Sequence, residues 1–326
     1  MDSWKIEMIV ASLSVNARRT NHGAAPRVGD VTNLESNVTD TALIFEGGGM
    51  RASYSSGVLA VLLGAGIHCD WVGGISAGSS CLVNYLGRDA ARAERSFVDF
   101  AAEPQFGNWR TWAQGKGVFN AEWIYEQTSA PDQPLPFDFD TFRRNPAQLA
   151  IGAIRCDDGE MVYWGRDDID DQLALMKRVR ASSTMPGLMP LTMIDDVAYC
   201  DGALGPTGGF AVDAAKAAGY EKFLVVMTRE RGYRKPTARF PAAYRALFRR
   251  YPGIARGLLA RPANYNRTLD ELAQLERAGR ALLLFPDQMP ISNSERRVPV
   301  LRSVFRAGRK QAEREMGAIK EFVELP

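Results

Sequence analysis

The chain has 326 residues, 46% of them hydrophobic and 24% charged, which excludes a collagen-like or largely disordered protein. A formal net charge of +2 implies no overall polyelectrolyte partner. The four cysteines (Cys69, Cys81, Cys156, Cys200) show no CxxC spacing or secreted disulfide framework, so a thiol-reducing, cytoplasmic setting is expected.

Residues 1–40 read as a polar arm, without the charge pattern of a signal peptide. No run of ~18 apolar residues occurs, so no transmembrane helix is expected. From Thr41 the pattern changes. Ala42–Phe45 is a short apolar run ending in glycines, as buried parallel strands do, and Tyr54, Val58, Leu59, Leu62 and Leu63 follow at helical spacing. Trp71–Ile75 predicts a second strand and Ser79–Leu86 a second helix. Leu149–Arg155 and Met161–Trp164 predict a hairpin, Asp170–Ala181 a helix, and Val197–Cys200 a strand ending at Asp201-Gly202. Val212–Ala218 reads as a helix and Phe223–Met227 as another buried strand. Beyond Arg229 the composition becomes arginine-rich and helical, with one more apolar run at Ala281–Phe285. The division expected is 1–40 as arm, 41–228 as an α/β catalytic core, and 229–326 as a mainly helical region packed on it.

Gly74-Ile75-Ser76-Ala77-Gly78 fits G-x-S-x-G. Set between a strand and a helix, this pattern projects the serine hydroxyl above the sheet, and the flanking glycines let the chain turn tightly. Glu46-Gly47-Gly48-Gly49-Met50-Arg51 forms a second signal. Its glycines expose backbone N–H groups able to hold an anion or a developing oxyanion. A nucleotide-binding reading fails, because no G-K-[ST] follows and Ala52 interrupts G-x-G-x-x-G.

The base that activates Ser76 follows partly from counting. His22 lies in the arm, and His68 precedes the strand that ends at Ser76, which puts it roughly 15 Å or more away at ~3.3 Å per residue. A lysine base is open in principle, but no S-x-x-K occurs at Ser76. A carboxylate remains, and Asp201, at a strand end before Gly202-Ala203, fits.

Together these residues resemble the patatin-like phospholipase family: Gly47-Gly48-Gly49-Met50-Arg51, Gly74-Ile75-Ser76-Ala77-Gly78 and Asp201-Gly202-Ala203 stand in the family's order. Ala181–Pro186 looks like the segment that precedes the aspartate, and Tyr233-Arg234-Lys235-Pro236 is similar to a bacterial branch. Ala52 departs from the family's usual glycine. The resemblance covers residues 41 to 325. It implies a three-layer α/β/α fold with a mostly parallel sheet and hydrolysis of lipid or lysolipid esters by a Ser76–Asp201 dyad. The oxyanion would be held by Gly48 and Gly49, helped by Gly47 or Met50. Arg51, Gly74, Gly78 and Gly202 would support the site, with Arg51 fixing the glycine loop or meeting a phosphate. No metal or cofactor is implied. A transacylase using the same acyl-serine, or a non-catalytic lipid-binding protein, are the alternatives.

From Arg229 to Arg261 ten Lys and Arg face a single acid, Glu230, and Phe240, Tyr244, Leu247, Phe248 and Tyr251 recur beside them at helical spacing. Such a segment can rest on an anionic membrane, or pack its aromatic face inward and leave its arginines solvated or paired. No nucleic-acid motif accompanies the charge.

Overall fold

The computed structural model describes residues 34–326 apart from 239. His22 and most of the N-terminal arm lie outside the described residues. In chain order, β1 (Thr41–Phe45) leads through the glycine turn into α1 (Ala52–Gly64), and β2 (Trp71–Ile75) runs through Ser76 into α2 (Ala77–Leu86). Three short helices follow, α3 (Ala90–Phe97), α4 (Trp109–Ala113) and α5 (Phe139–Arg144). Next come β3 (Gln148–Arg155), β4 (Met161–Trp164), α6 (Gln172–Ser183), β5 (Thr192–Ile194), β6 (Val197–Asp201), α7 (Val212–Ala217) and β7 (Lys222–Val226). The remainder contains α8 (Pro241–Leu247), α9 (Pro252–Arg277), β8 (Ala281–Leu284) and α10 (Val298–Phe322).

The strands form one eight-stranded sheet whose hydrogen-bonded path is β5-β6-β3-β2-β1-β7-β8, with β4 also on β3. The pairs β3–β2, β2–β1, β1–β7 and β7–β8 are parallel, whereas β4, β5 and β6 are joined by antiparallel pairs. The chain beyond Arg229 therefore contributes β8, an edge strand of the same sheet.

Alternation along the strands builds the layers, because successive side chains in a strand point to opposite faces. Leu43 and Phe45 of β1, with Leu224 and Val226 of β7, enter one apolar cluster shared with α1, α2 and α10. Ala42 and Ile44, with Phe223, Val225 and Met227, enter a second cluster shared with α7 and α9. Helices thus cover both faces of a mostly parallel sheet, a three-layer α/β/α arrangement. The short strand β5, only three residues long, carries no alternation that a sequence pattern could reveal.

The register of β3 decides where the site forms. At Ile151 and Gly152 both β2 and β4 pair with β3, so they occupy opposite edges of it. At Ala153 and Ile154 both β4 and β6 pair with it, so they too are opposite. Hence β2 and β6 share one edge and meet end to end, Ile75 beside Gly152 and Asp201 beside Ala153.

Candidate active site

Ser76 sits at the junction of β2 and α2 with φ 56° and ψ −129°, a backbone conformation rarely taken by a residue with a side chain. The turn is held from both sides. The Ser76 N–H donates to Ser182 Oγ at 2.8 Å, and Ser182 Oγ donates to the Gly152 carbonyl at 2.6 Å. Gly74, Gly78 and Gly202 fit because a Cβ at each would collide with backbone, at Gly78, Phe45 and Gly152 respectively. Ser182 belongs to the Ala181–Pro186 segment noted in the sequence, but nothing in a sequence pattern reveals its bond to Ser76.

Because β2 and β6 meet in line, Ser76 and Asp201 become neighbours although 125 residues separate them. Ser76 Oγ donates to Asp201 Oδ2 at 2.9 Å, and Asp201 Oδ1 accepts the Ala203 N–H at 2.9 Å. The Asp201 N–H is fixed on the Thr184 carbonyl at 2.8 Å. Both side chains are buried. Burial raises the Asp201 pKa above the ordinary aspartate value, and Arg261, the Ala203 N–H, the Ser76 hydroxyl and Lys235 act in the opposite direction. A carboxylate raised in this way accepts a proton more readily than one in water.

His68 lies at the other end of β2, where its carbonyl accepts the Asn37 and Val38 N–H groups and its own N–H donates to Asn37 Oδ1. Burial, then the nearby Arg88 charge, lower its pKa to about 4.

The glycine turn lies against the elbow, since a Cβ on Gly47 would meet the Ile75 carbonyl at 2.8 Å and Ser76 Cβ at 3.1 Å. Gly49 has φ +56°, which favours glycine, and a Cβ there would meet the Asn293 carbonyl at 2.5 Å. The four N–H groups singled out in the sequence divide into two pairs. Gly47 N–H donates to the Gly209 carbonyl at 3.2 Å and Met50 N–H to the Asn293 carbonyl at 3.0 Å, so these two are diverted from the serine. Tertiary contacts with distant loops thus occupy the Gly47 and Met50 N–H groups. Gly48 and Gly49 N–H have no partner among the described residues.

An apolar cavity of ≈ 100 Å³ opens beside Ser76, Gly49 and Met50 and runs between Phe100, Phe106, Phe119 and Val179. Phe106 and Phe119 belong to both the core and the cavity wall, whereas Trp109 and Trp112 are each 63% exposed. Among the acids at 167–171, Asp171 Oδ1 caps α6 by accepting the Ala174 N–H at 2.7 Å, and Asp168 Oδ2 accepts the Gly165 N–H at 2.8 Å.

The sequence profile described as patatin-like phospholipase matches residues 43–215. The chain belongs to the patatin-like phospholipase family. A second profile, a domain of unknown function (DUF6363), matches residues 251–324. The uncharacterized protein YjjU of Escherichia coli (strain K12) is 24% identical over 192 residues, 57% of this chain. The chain spans about half the length of that relative, 51%. The crystal structure of VipD from Legionella pneumophila aligns with a TM-score of 0.43 and 10% identity, over 86% of this chain and 67% of that one. Within this patatin-like chain, the profile spans the glycine turn, the elbow and Asp201, whereas α9, β8 and α10 lie outside it.

Proposed function

We propose that the protein is a serine acyl hydrolase of lipid esters that works through a Ser76–Asp201 dyad. The observation that carries this reading is the 2.9 Å bond from Ser76 Oγ to the buried Asp201 carboxylate beside the unpartnered Gly48 and Gly49 N–H groups. Ser76 Oγ attacks the ester carbonyl while its proton passes to Asp201 Oδ2. The carbonyl oxygen gains the negative charge, and Gly48 and Gly49 are the donors that would hold it. Removing one such donor typically costs ~3 kcal/mol of transition-state stabilisation. The C–O bond to the alcohol then breaks and Asp201 returns the proton to the leaving oxygen. Asp201 next takes a proton from water, whose oxygen attacks the acyl-serine; the bond from the acyl carbon to Ser76 Oγ then breaks, Asp201 returns the proton to Oγ, and the acid leaves. Membership of the patatin-like phospholipase family and the apolar cavity beside the nucleophile favour a lipid acyl group.

The experiment is labelling with a fluorophosphonate probe followed by peptide mapping. Modification at Ser76, lost in Ser76→Ala, is expected; a folded protein that stays unlabelled would overturn the hydrolase reading. Transfer of the acyl group from a substrate to an added alcohol in preference to water would identify a transacylase.

The same site is proposed to work at an anionic membrane surface. No described helix is long and apolar enough to cross a membrane. α8 buries none of its side chains, and Phe240 and Leu247 are 59% and 65% exposed. Phe248, just after α8, faces Gly187, and Val118 N–H, beyond α4, donates to the Leu188 carbonyl at 2.7 Å. The 185–189 segment between them gives Met185 and Met189 to the cavity wall. The segments that carry the exposed Trp109, Trp112, Phe240 and Leu247 are thus anchored on the stretch that walls the cavity, and exposed apolar groups of this kind suit a membrane interface. The arginines of this region divide. Arg231 pairs with Glu276 at 2.7 Å, Arg234 pairs with Asp270, and Arg256 donates to the Asp158 carbonyl at 2.7 Å. Arg245, Arg249 and Arg250 stay exposed and form no ion pair among the described residues. Co-sedimentation with anionic but not neutral vesicles, lost on changing these three to Glu, is the expected result; equal binding to both would exclude the contact.

A further inference from the structure

Four cations gather around one carboxylate near the glycine turn, on the α9 side of the sheet, and none is in direct ion-pair contact among the described residues. Glu46, at the end of β1 and 1% exposed, is the buried carboxylate at their centre. Its oxygens are already engaged, Oε1 by the Tyr265 hydroxyl at 2.8 Å and Oε2 by the Thr228 N–H at 2.5 Å. Lys235 Nζ lies 4.5 Å from the Tyr265 ring centroid and 5.8 Å from that of Tyr233. The Arg229 guanidinium lies 4.4 Å from the Tyr233 centroid, and the two tyrosine rings meet edge to face at 6.1 Å. Arg51, directly after the glycine turn, is 6% exposed. The Nε atoms of Arg51, Arg229 and Arg261 are buried without a partner. Among the described residues, none of the four side chains makes a hydrogen bond or an ion pair.

The four charges act on one another. Burial, then Arg229, lower the Arg51 pKa to about 10, with Glu46 and Tyr265 opposing and Arg261 adding to the shift. Burial, then Arg261, lower that of Lys235 to about 7; Arg51 and Arg229 add to this, and Glu46 opposes it. Glu46 directly precedes Gly47, which lies against Ser76 and donates to the Gly209 carbonyl, and Gly208 packs on Tyr265, so the cluster lies next to the glycine turn. Arg51 is buried and Arg229, Lys235 and Arg261 are half-buried; cations drawn out of water are costly unless paired, and guanidinium groups with a lysine are the side chains that recognise phosphate.

We propose that Arg51, Arg229, Lys235 and Arg261 form a subsite for the phosphate of an ester substrate's head group, which selects net-anionic heads over neutral ones. This rests on the hydrolase reading of Ser76. The substrate, not free phosphate, is the assigned source because the apolar cavity lies on the opposite side of the serine. One ester can then place its acyl chain among the phenylalanines and its phosphate among the cations. Three of the four residues lie beyond the catalytic motifs, in the segment after β7 and in α9, so head-group choice would be set by the C-terminal part of the chain.

The test uses the full chain carrying Ser76→Ala and two non-hydrolysable ethers, 1-O-octylglycerol 3-phosphate and 1-O-octylglycerol, titrated by calorimetry. The phosphorylated ether is expected to bind at least ~10-fold more tightly, and Lys235→Gln, alone or with Arg229→Gln, is expected to erase that advantage. Inorganic phosphate should bind more weakly than the phosphorylated ether. Equal binding of the two ethers, or an advantage that survives both folded variants, would overturn the subsite. Inorganic phosphate binding as tightly as the phosphorylated ether would overturn its assignment to the head group. In parallel, the kcat/KM ratio of 1-octanoylglycerol 3-phosphate to 1-octanoylglycerol is measured on the unmodified protein. A ratio near one with Ser76 still labelled by fluorophosphonate removes the subsite and leaves the hydrolase. Selective binding of the phosphorylated ether with no hydrolysis of either ester does the reverse.

Discussion

The two sides of Ser76 are built on opposite principles. Toward α1, α2 and α6 the walls are Phe, Met and Val, packed in the same cluster that forms one face of the core. Toward α9 the walls are Arg51, Arg229, Lys235, Arg261 and two tyrosines around a single carboxylate. The first side gains stability from burial, as any core does. The second gathers four cations, one buried and three half-buried, around one carboxylate, so net positive charge is held partly out of water, which is a cost to the fold. A site that keeps one side in a state unfavourable to itself is prepared for something that arrives from outside.

The most severe break removes what the two sides share. Ser76→Ala and Asp201→Asn should each lower kcat on a neutral p-nitrophenyl ester by about 10³-fold or more, and the double variant should be little worse than either. Circular dichroism would check that the fold persists. Near wild-type turnover of Asp201→Asn would show that another group takes the proton.

A smaller loss is expected from Gly49→Ala, which forces a side chain into φ +56° and against the Asn293 carbonyl. Displacing one oxyanion donor should reduce kcat by about 10²-fold with KM little changed. An unaltered kcat in a folded variant would place the oxyanion elsewhere.

The apolar side alone is addressed by Val179→Trp, which fills the cavity from α6. Turnover of octanoyl esters should fall about 10-fold relative to acetyl esters, read as the ratio of kcat/KM values. A constant ratio across chain lengths would show that the acyl chain lies elsewhere.

The cationic side has a quieter signature in stability. Lys235 has a pKa of about 7 in the folded chain, below its unfolded value, so the unfolded chain binds the extra proton between those two pH values. Stability therefore rises with pH through that window, and below it the full cost of the buried charge remains. Lys235→Gln should raise the Tm of the ligand-free protein at pH 6, with the gain shrinking as pH climbs toward 10. A lower Tm at pH 6 would mean that the lysine is held favourably by its surroundings.

Much of this contrast was legible in the sequence, but unevenly. The elbow, the glycine turn and Asp201 carry short-range signatures, because tight turns demand particular residue types within a few positions. The alternating strands and their flanking helices follow from periodicity for the same reason. The diversion of the Gly47 and Met50 N–H groups was not legible, since it depends on carbonyls at Gly209 and Asn293. Nor was the sorting of the basic residues after Arg229, where charge alone does not say which side chains turn inward. Residues 229, 235 and 261 become one cluster only because α9 folds back over the end of β1. Trp109 and Trp112 have the composition of core residues and lie at the surface because the short α4 buries Thr111 instead.

The end-to-end meeting of β2 and β6 makes β3 a ruler for the dyad. Ser76 and Asp201 do not measure their separation directly; each takes its place from an adjacent notch, at Gly152 and Ala153. A slip of either strand by one residue along β3 would move its partner by ~3.3 Å, enough to break the bond between them. The bond from Ser76 to Asp201 is thus a gauge of strand alignment across 125 positions of chain. A population of molecules misaligned at this edge could retain its helices and most of its core, and would betray itself only by silence toward a serine-reactive probe.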